Sequence, residues 1–243
     1  GFYIDLQKAL DHVHAMVEAG ADIIDIGGES SRPAGPYGEG AGTVSLSDEL
    51  NRTIPLIASI APRLSIPISI DTTKAEVARR AIEAGATLVN DISALRFDTN
   101  MIKVVADTGA AVVLMHMQGT PETMQSEPRY GDVAAEVKAS LSEAVARAER
   151  AGIASDAIVV DPGIGFGKTL SHNLTLLNEL DTLAELGKPI LVGTSRKGFI
   201  GKLLSSEAEA RIFGTAASVA AAILRGASIV RVHDVSEMRD VAT

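Results

Sequence analysis

Residues 66–91 read IPISIDTTKAEVARRAIEAGATLVND. The run Ile66 to Ile70 reads as a strand, closed by Asp71-Thr72-Thr73. Lys74 to Ala84 carries helical periodicity and stops at Gly85, in the usual position of a C-terminal glycine. Thr87 to Asp91 then reads as the next strand. Two near-continuous apolar strands joined through a helix, with no hairpin signal between them, mean a parallel pair covered by helices.

The same unit recurs outward in both directions. Upstream, a helix over Asp5 to Ala19 ends at Gly20, a strand Ile23 to Ile26 stops at Gly27-Gly28, and a helix covers Ser47 to Ala61. Downstream come helix Met101 to Thr108, strand Ala111 to His116, a long amphipathic helix Asp132 to Ala151 and strand Ala157 to Val160. Helix Asn173 to Leu186, strand Ile190 to Val192, helix Glu207 to Leu224 and strand Ile229 to Val232 complete the series. Seven strands is one short of a (β/α)8 TIM barrel, and the chain opens on a helix. The expected fold is therefore α/β, a (β/α)8 barrel whose first strand is missing from the sequence. An open doubly wound sheet is the alternative that the repeat alone leaves standing. No linker, charge block or low-complexity stretch divides residues 1–243, so a single domain is expected.

Of the 243 residues, 46% are hydrophobic and 22% charged, which is a globular mixture and not a disordered one. The 22 Lys and Arg against 31 Asp and Glu leave a net charge of −9, a poor field for coating nucleic acid or an anionic membrane. The absence of cysteine excludes disulfides, thiolate metal sites and cysteine nucleophiles. The uncharged stretch Ile212 to Leu224 is well short of the ~20 residues a membrane helix needs, and no basic-then-apolar signal segment opens the chain. A cytoplasmic protein with no nucleic-acid or membrane partner is expected.

In a barrel, chemistry sits at the C-terminal ends of the strands. Those ends carry Glu29-Ser30-Ser31-Arg32-Pro33, Asp71-Thr72, Asn90-Asp91, His116, Asp161 to Lys168, Gly193 to Lys197, and Arg231-Val232-His233-Asp234. A single Asp or Ser there is well explained as the cap of the next helix. Seven polar ends together are not. Asp71, Asn90 and Asp161 are acceptor-rich and suit a planar ligand with several N–H donors. Arg32, Lys197, Arg231 and His233 are cationic and suit phosphate or another multiply charged anion. Gly167-Lys168-Thr169 imitates a phosphate-binding loop, but Pro162 stands where its first glycine belongs. His12 and His14 fall on different helix faces, His172 with Asn173 reads as a helix cap, and Asp25 reads as buried structure. His116 is as well explained by a hydrogen-bonded rim position as by catalysis.

The set DIGGESSRP (25–33), SIDT (69–72), VNDI (89–92), VLMHMQGTP (113–121), DPGIGFGKT (161–169), GTSRKGFIG (193–201) and RVHDV (231–235) resembles the dihydropteroate synthase family. The resemblance covers essentially the whole chain and implies a (β/α)8 barrel that joins 4-aminobenzoate to 6-hydroxymethyl-7,8-dihydropterin diphosphate, with Mg2+ assisting. It implies a pterin pocket of Asp71, Asn90, Asp161 and Lys197, lined by Met115 and Phe166. Ser31, Arg32 and Pro33 match the loop that contacts diphosphate and shapes the aminobenzoate site. Gly193 and Ser195 match substrate-contacting positions, Ser195 near the aminobenzoate carboxylate. Arg231 and His233 match the diphosphate site, and Lys197, Arg231 and His233 are the implied catalytic groups. A homodimer is also implied, with the apolar face of Ile212 to Leu224 as the packing surface.

The family's first strand and loop are missing, the metal-binding asparagine would precede Gly1, and the C-terminal helix looks cut short after Thr243. Ala34 to Ser47 is several residues longer than the family pattern, and Ser31 stands where threonine is commoner. A truncated or non-catalytic pterin-binding barrel is thus a second reading. A pterin-dependent methyltransferase barrel is a third, opposed by the SRK and RVHD elements, because that reaction handles no diphosphate. An aldolase-type barrel with Lys197 as a Schiff-base lysine is a fourth.

Overall fold

In a computed structural model, which describes residues 5–30, 44–205, 207 and 210–243, the quoted stretch folds as its pattern dictates. Ile68–Asp71 (β2) runs into helix Ala75–Glu83 (α3) and strand Leu88–Asp91 (β3). Gly85, at φ +117, makes the return, and a Cβ there would collide with the Cβ of Ala61. Before this unit lie Leu6–Glu18 (α1), Ile24–Gly27 (β1) and Leu46–Ile60 (α2). After it come Met101–Thr108 (α4), Ala111–Met115 (β4), Val133–Arg150 (α5) and Ile158–Asp161 (β5). Leu170–Asn178 (α6), Leu191–Val192 (β6), Gly198–Leu204 (α7), Ile212–Leu224 (α8), Ile229–Val230 (β7) and Val235–Ala242 (α9) complete the described elements.

The chain forms two units. Among the described residues, the first comprises 5–30, 44–114 and 145–158, the second 115–144, 159–205, 207 and 210–243. In the first, β1 to β4 pair side by side and parallel, with Gly27 opposite Asp71, Asp71 opposite Asn90, and Asn90 opposite Val113. Ile24, Ile57, Ile60, Ile70, Val89 and Met101 are its buried apolar centre. Strict register matters because a one-residue slip would turn Asp71 and Asn90 to the other face of the sheet.

In the second unit β6 and β7 pair in parallel, and a parallel bridge joins Val160 to Ile190. The backbone N–H of His116 donates to the carbonyl of Asp161 at 2.9 Å. Met117, Leu141, Ile164, Leu180 and Leu183 are fully buried here.

All seven expected strands are found, each within two residues of its expected bounds. The helices differ more. The expected helix Asn173 to Leu186 is two pieces: α6, and a 3₁₀ segment over Leu180–Leu186 that begins where Glu179 leaves helical geometry at φ −110, ψ 22. The 3₁₀ repeat of three aligns Leu180 with Leu183, and both are buried. The expected helix from Glu207 begins only at Ile212, and α7 precedes it. Gly198 and Gly201 hid α7 from a propensity reading. Gly201 is needed there because a Cβ would run into the guanidinium of Arg211.

Candidate active site

The first unit presents its acceptors on adjacent strands. Asp71 ends β2 and is half-buried, while Asn90 on β3 is 6% exposed. Asn90 Nδ2 donates to Asp25 Oδ2 at 3.3 Å, so Asp25 holds the amide from below its strand end. Asp25 is half-buried, not buried as the sequence reading expects, and it orients a predicted ligand-binding residue. Asp91, by contrast, is spent on its own turn. It accepts from the N–H groups of Ser93 at 2.7 Å and Leu95 at 3.0 Å, and burial pushes its carboxyl pKa up.

A charged cluster unread in the sequence lies on the same rim. Glu49, 1% exposed, accepts from Thr72 Oγ1 at 2.6 Å and from Lys74 Nζ at 2.5 Å, and Lys74 also pairs with Glu29. Arg52 donates to the Gly28 carbonyl at 2.9 Å. These contacts anchor the chain at Gly28 and Glu29, just before Ser31, Arg32 and Pro33. Those three predicted site residues lie outside the described residues.

In the second unit the loop after β5 is built by glycines. Gly163, Gly165 and Gly167 have φ of +67, +87 and +62, and a Cβ on Gly163 would strike the carbonyl oxygen of His116. The tight path lets Gly163 N–H donate to Asp161 Oδ1 at 2.7 Å. Asn173 Oδ1 accepts from Gly165 N–H at 2.7 Å, pinning the loop, while His172 completes a capping box with Thr169 as the sequence suggested. Phe166 projects half-buried from this loop, and Met115, which ends β4, is 3% exposed.

Lys197 reaches into this loop from the turn after β6. Its Nζ donates to the Ile164 carbonyl and stands 4.8 Å from the centroid of the Phe166 ring. A Cβ on Gly165 would approach Lys197 Cδ to 3.1 Å, so that glycine leaves room for this side chain, whereas one on Gly193 would make only an ordinary contact, 3.7 Å from its Nζ. Burial lowers the Lys197 pKa to about 8, with Asp161 opposing that change and Arg231 assisting it. Burial likewise raises the Asp161 pKa, against the pull of Lys197, Lys168 and Arg231.

Lys168 belongs to the stretch that imitates a phosphate-binding loop in sequence, and the structure gives it another task. Lys168 is 3% exposed, and its Nζ donates to the carbonyls of Phe166 at 2.9 Å, Gly163 at 3.0 Å and His116 at 3.3 Å, with His116 Nδ1 at 3.1 Å. Burial brings its pKa down to about 7. The lysine ties the end of β4 to the glycine loop, and His116 is a hydrogen-bonded rim residue in that tie.

The remaining predicted residues follow β6 and β7. Ser195 is buried, and its Oγ meets the backbone N–H of His233 at 3.2 Å and His233 Nδ1 at 3.0 Å. Arg231 N–H donates to the Val192 carbonyl at 3.0 Å, which fixes the start of the Arg231-to-Asp234 segment against β6. The side chains of Arg231 and His233 are exposed at this rim. The second unit thus brings Asp161, Phe166, Gly193, Ser195, Lys197, Arg231 and His233 into one set, a buried carboxylate edge beside the exposed Arg231 and His233.

The family model for pterin-binding enzymes matches residues 1–233 of this chain. The chain belongs to the dihydropteroate synthase family of pterin-binding enzymes. It is 48% identical over 242 residues to the dihydropteroate synthase of a Synechocystis species, covering 99% of this chain and 82% of that relative. It is similar in structure to the Yersinia pestis dihydropteroate synthase in a sulfonamide drug complex, with a TM-score of 0.92 at 41% identity over 98% of this chain and 84% of that one. Crystal structures of the Xanthomonas albilineans synthase are similar too. One holds 4-aminobenzoic acid (TM-score 0.90, 43% identity), another 7,8-dihydropteroate (TM-score 0.86, 40% identity), each over 98% of this chain and 82% of that one. The fold class is α/β, and the alternation of parallel strands and helices fits a (β/α)8 barrel.

Proposed function

We propose that the chain condenses 6-hydroxymethyl-7,8-dihydropterin diphosphate with 4-aminobenzoate, giving 7,8-dihydropteroate and pyrophosphate in folate biosynthesis. The observation that carries this reading is Lys197, held between the Ile164 carbonyl and the Phe166 ring in the field of Asp161, with Arg231 acting on both. That is an acceptor for a donor-rich ring next to cations for a leaving anion.

Asp161 accepts from the pterin's N–H edge, and Met115, Phe166 and Gly193 take its apolar faces; Asn90 and Asp71 are the first unit's acceptors for N–H donors. Arg231 and His233, with Arg32, stabilise the negative charge that builds on diphosphate as the methylene carbon–oxygen bond breaks. The electron-rich pterin spreads the positive charge left on that carbon. The amine nitrogen of 4-aminobenzoate then forms the new carbon–nitrogen bond and releases one proton to solvent. Lys197 lies beside pterin and incoming amine, and Ser195, with Ser31 and Pro33, receives the aminobenzoate. No protein nucleophile is needed. Among the described residues no group of three His, Asp or Glu side chains is placed to hold a metal ion, and the steps given are those of the chain's own groups; Mg2+, when bound, would help neutralise the charge on the departing diphosphate.

The two units are interleaved along the sequence, which supports treating residues 1–243 as one pterin-binding domain. No described helix is long and apolar enough to cross a membrane. A cytoplasmic homodimer is the proposed working form, with Phe213 and Leu224 of α8, 84% and 86% exposed, packing on a second copy. Incubation with both substrates and Mg2+ tests the reading: dihydropteroate is the expected product, and its absence from folded protein overturns it.

A further inference from the structure

Arg196 stands between two proposed substrate-binding residues, Ser195 and Lys197, yet neither the family motif reading nor the proposed reaction uses its side chain. Its backbone is left-handed at φ +56, one of four non-glycine residues so placed among those described. Lys197 N–H donates back to the Thr194 carbonyl at 3.2 Å, so residues 194–197 form a tight turn with Arg196 at its third position. Turns of this kind favour glycine there, because a Cβ is strained at positive φ. The turn is held from both sides of that residue. Arg196 N–H donates to Thr215 Oγ1 at 3.1 Å, and the Arg196 carbonyl accepts from Arg211 Nη1 at 3.0 Å, with Thr215 and Arg211 both buried.

The guanidinium gives arginine a use at a position that suits glycine. Its Nε donates to Asp234 Oδ2 at 3.0 Å and its Nη2 to Asp234 Oδ1, a two-pronged ion pair. Asp234 occupies the N-cap of α9, where an aspartate ordinarily accepts from the helix's first N–H groups. It makes no such cap bond. Both residues therefore give up a local advantage, and what they gain is each other. The pair joins the turn that carries Lys197 to the segment that carries Arg231 and His233, and the Ser195–His233 contacts join the same two segments a second time.

We propose that the Arg196–Asp234 ion pair is a positioning clamp that fixes Lys197 relative to Arg231 and His233, so that the pterin-facing and diphosphate-facing cations engage one substrate at once. The inference rests on the synthase reading for its kinetic consequences. Arg196→Gly removes the guanidinium while relieving the left-handed strain, so the turn is retained. Asp234→Asn removes the charge at constant size.

The experiment measures melting temperature, kcat, KM for each substrate and calorimetric pyrophosphate affinity for both variants and for the double variant. Arg196→Gly is expected to melt within a few degrees of wild type and to lose kcat by about 10- to 100-fold, the cost of a small misplacement of catalytic groups, with KM for 4-aminobenzoate changed less than kcat. The double variant is expected to be no worse than the more impaired single variant, because the two residues act as one unit. A folded Arg196→Gly protein with wild-type kcat overturns the clamp, as does full additivity in the double variant. If Arg196→Gly fails to fold, the same readouts on Asp234→Asn decide. If wild type makes no dihydropteroate, the synthase reading fails alone. Pyrophosphate titration then still tests the clamp, weaker binding in both variants supporting it and unchanged binding refuting it.

Discussion

Lys197 Nζ and the Phe166 ring face each other at 4.8 Å, although the two residues sit in loops after different strands. The contact brings a cation of lowered pKa against the aromatic wall of the proposed pterin pocket, with the Ile164 carbonyl accepting a hydrogen bond from it. Each side chain limits where the other can go, so that Lys197 holds a set position beside the Phe166 ring.

Lys197→Ala and Arg231→Ala are expected to separate the two ends of the substrate. Arg231→Ala weakens pyrophosphate and the pterin diphosphate while leaving diphosphate-free pterin nearly unaffected. Lys197→Ala weakens pterin even without diphosphate and lowers kcat by about 10²–10³. Calorimetric titration of each variant with pterin alone and pyrophosphate alone checks this. Equal loss of both ligands in both variants would replace two subsites with one shared field.

Asp161→Asn keeps shape but sets a donor where the pterin edge offers donors. It also adds an amide beside Gly163 N–H, which donates to Asp161 Oδ1 in the native protein. Pterin affinity is expected to fall by about 2–3 kcal/mol, the scale of a lost charge-assisted bond that leaves a buried group unmatched. Unchanged affinity in a titration would remove Asp161 from the pocket.

Gly163→Ala is a stability test of the loop after β5. The substitution needs φ +67 and drives a Cβ into the His116 carbonyl oxygen. Strain and clash together are expected to cost about 2 kcal/mol or more, hence a melting temperature lower by several degrees in a chain of this length. Differential scanning calorimetry reads it, and an unshifted melt would mean the loop does not hold its described path.

The pH dependence of stability follows from the buried lysines. Lys168 titrates at about 7 when folded and at 10.5 when unfolded, so between those values the unfolded chain holds the extra proton. Stability from this group therefore rises with pH across that window. Lys197, at about 8, adds in the same direction. Tyr130, raised to about 12 by burial, acts oppositely above pH 10.0, where only the unfolded chain loses its phenolic proton. The melting temperature of wild type minus that of Lys168→Met should thus climb from pH 7 to pH 10. A difference that stays flat or falls contradicts the buried, deprotonating Lys168.

The strands and their order were legible because their signals are local. A β-branched run, a helical period and a glycine stop each lie within a few residues, as in Ile66 to Asp91, and each needs no distant partner to be read. The polar strand ends were legible for the same reason, and with them Asp71, Asn90, Asp161, Lys197, Arg231 and His233. The helix boundaries after Thr169 were less so, since the break at Glu179 and the glycine-bearing α7 are set by packing and not by propensity.

By itself, then, the sequence determined the repeating parallel architecture and which chemistry stands at each strand end. Only the tertiary structure decided which of those groups hold one another. Arg196 and Asp234 are 38 residues apart, and in isolation one reads as a turn residue and the other as a helix cap. Lys168 and His116 are 52 apart, and a lysine becomes a buried tie only where folding gathers several carbonyl oxygens around it. Asp25 and Asn90, 65 apart, meet because of where their strands lie in the parallel sheet. Hydrogen bonds and ion pairs depend on ångström-scale distance and direction, and the register of distant strands and the left-handed turns of the loops set both.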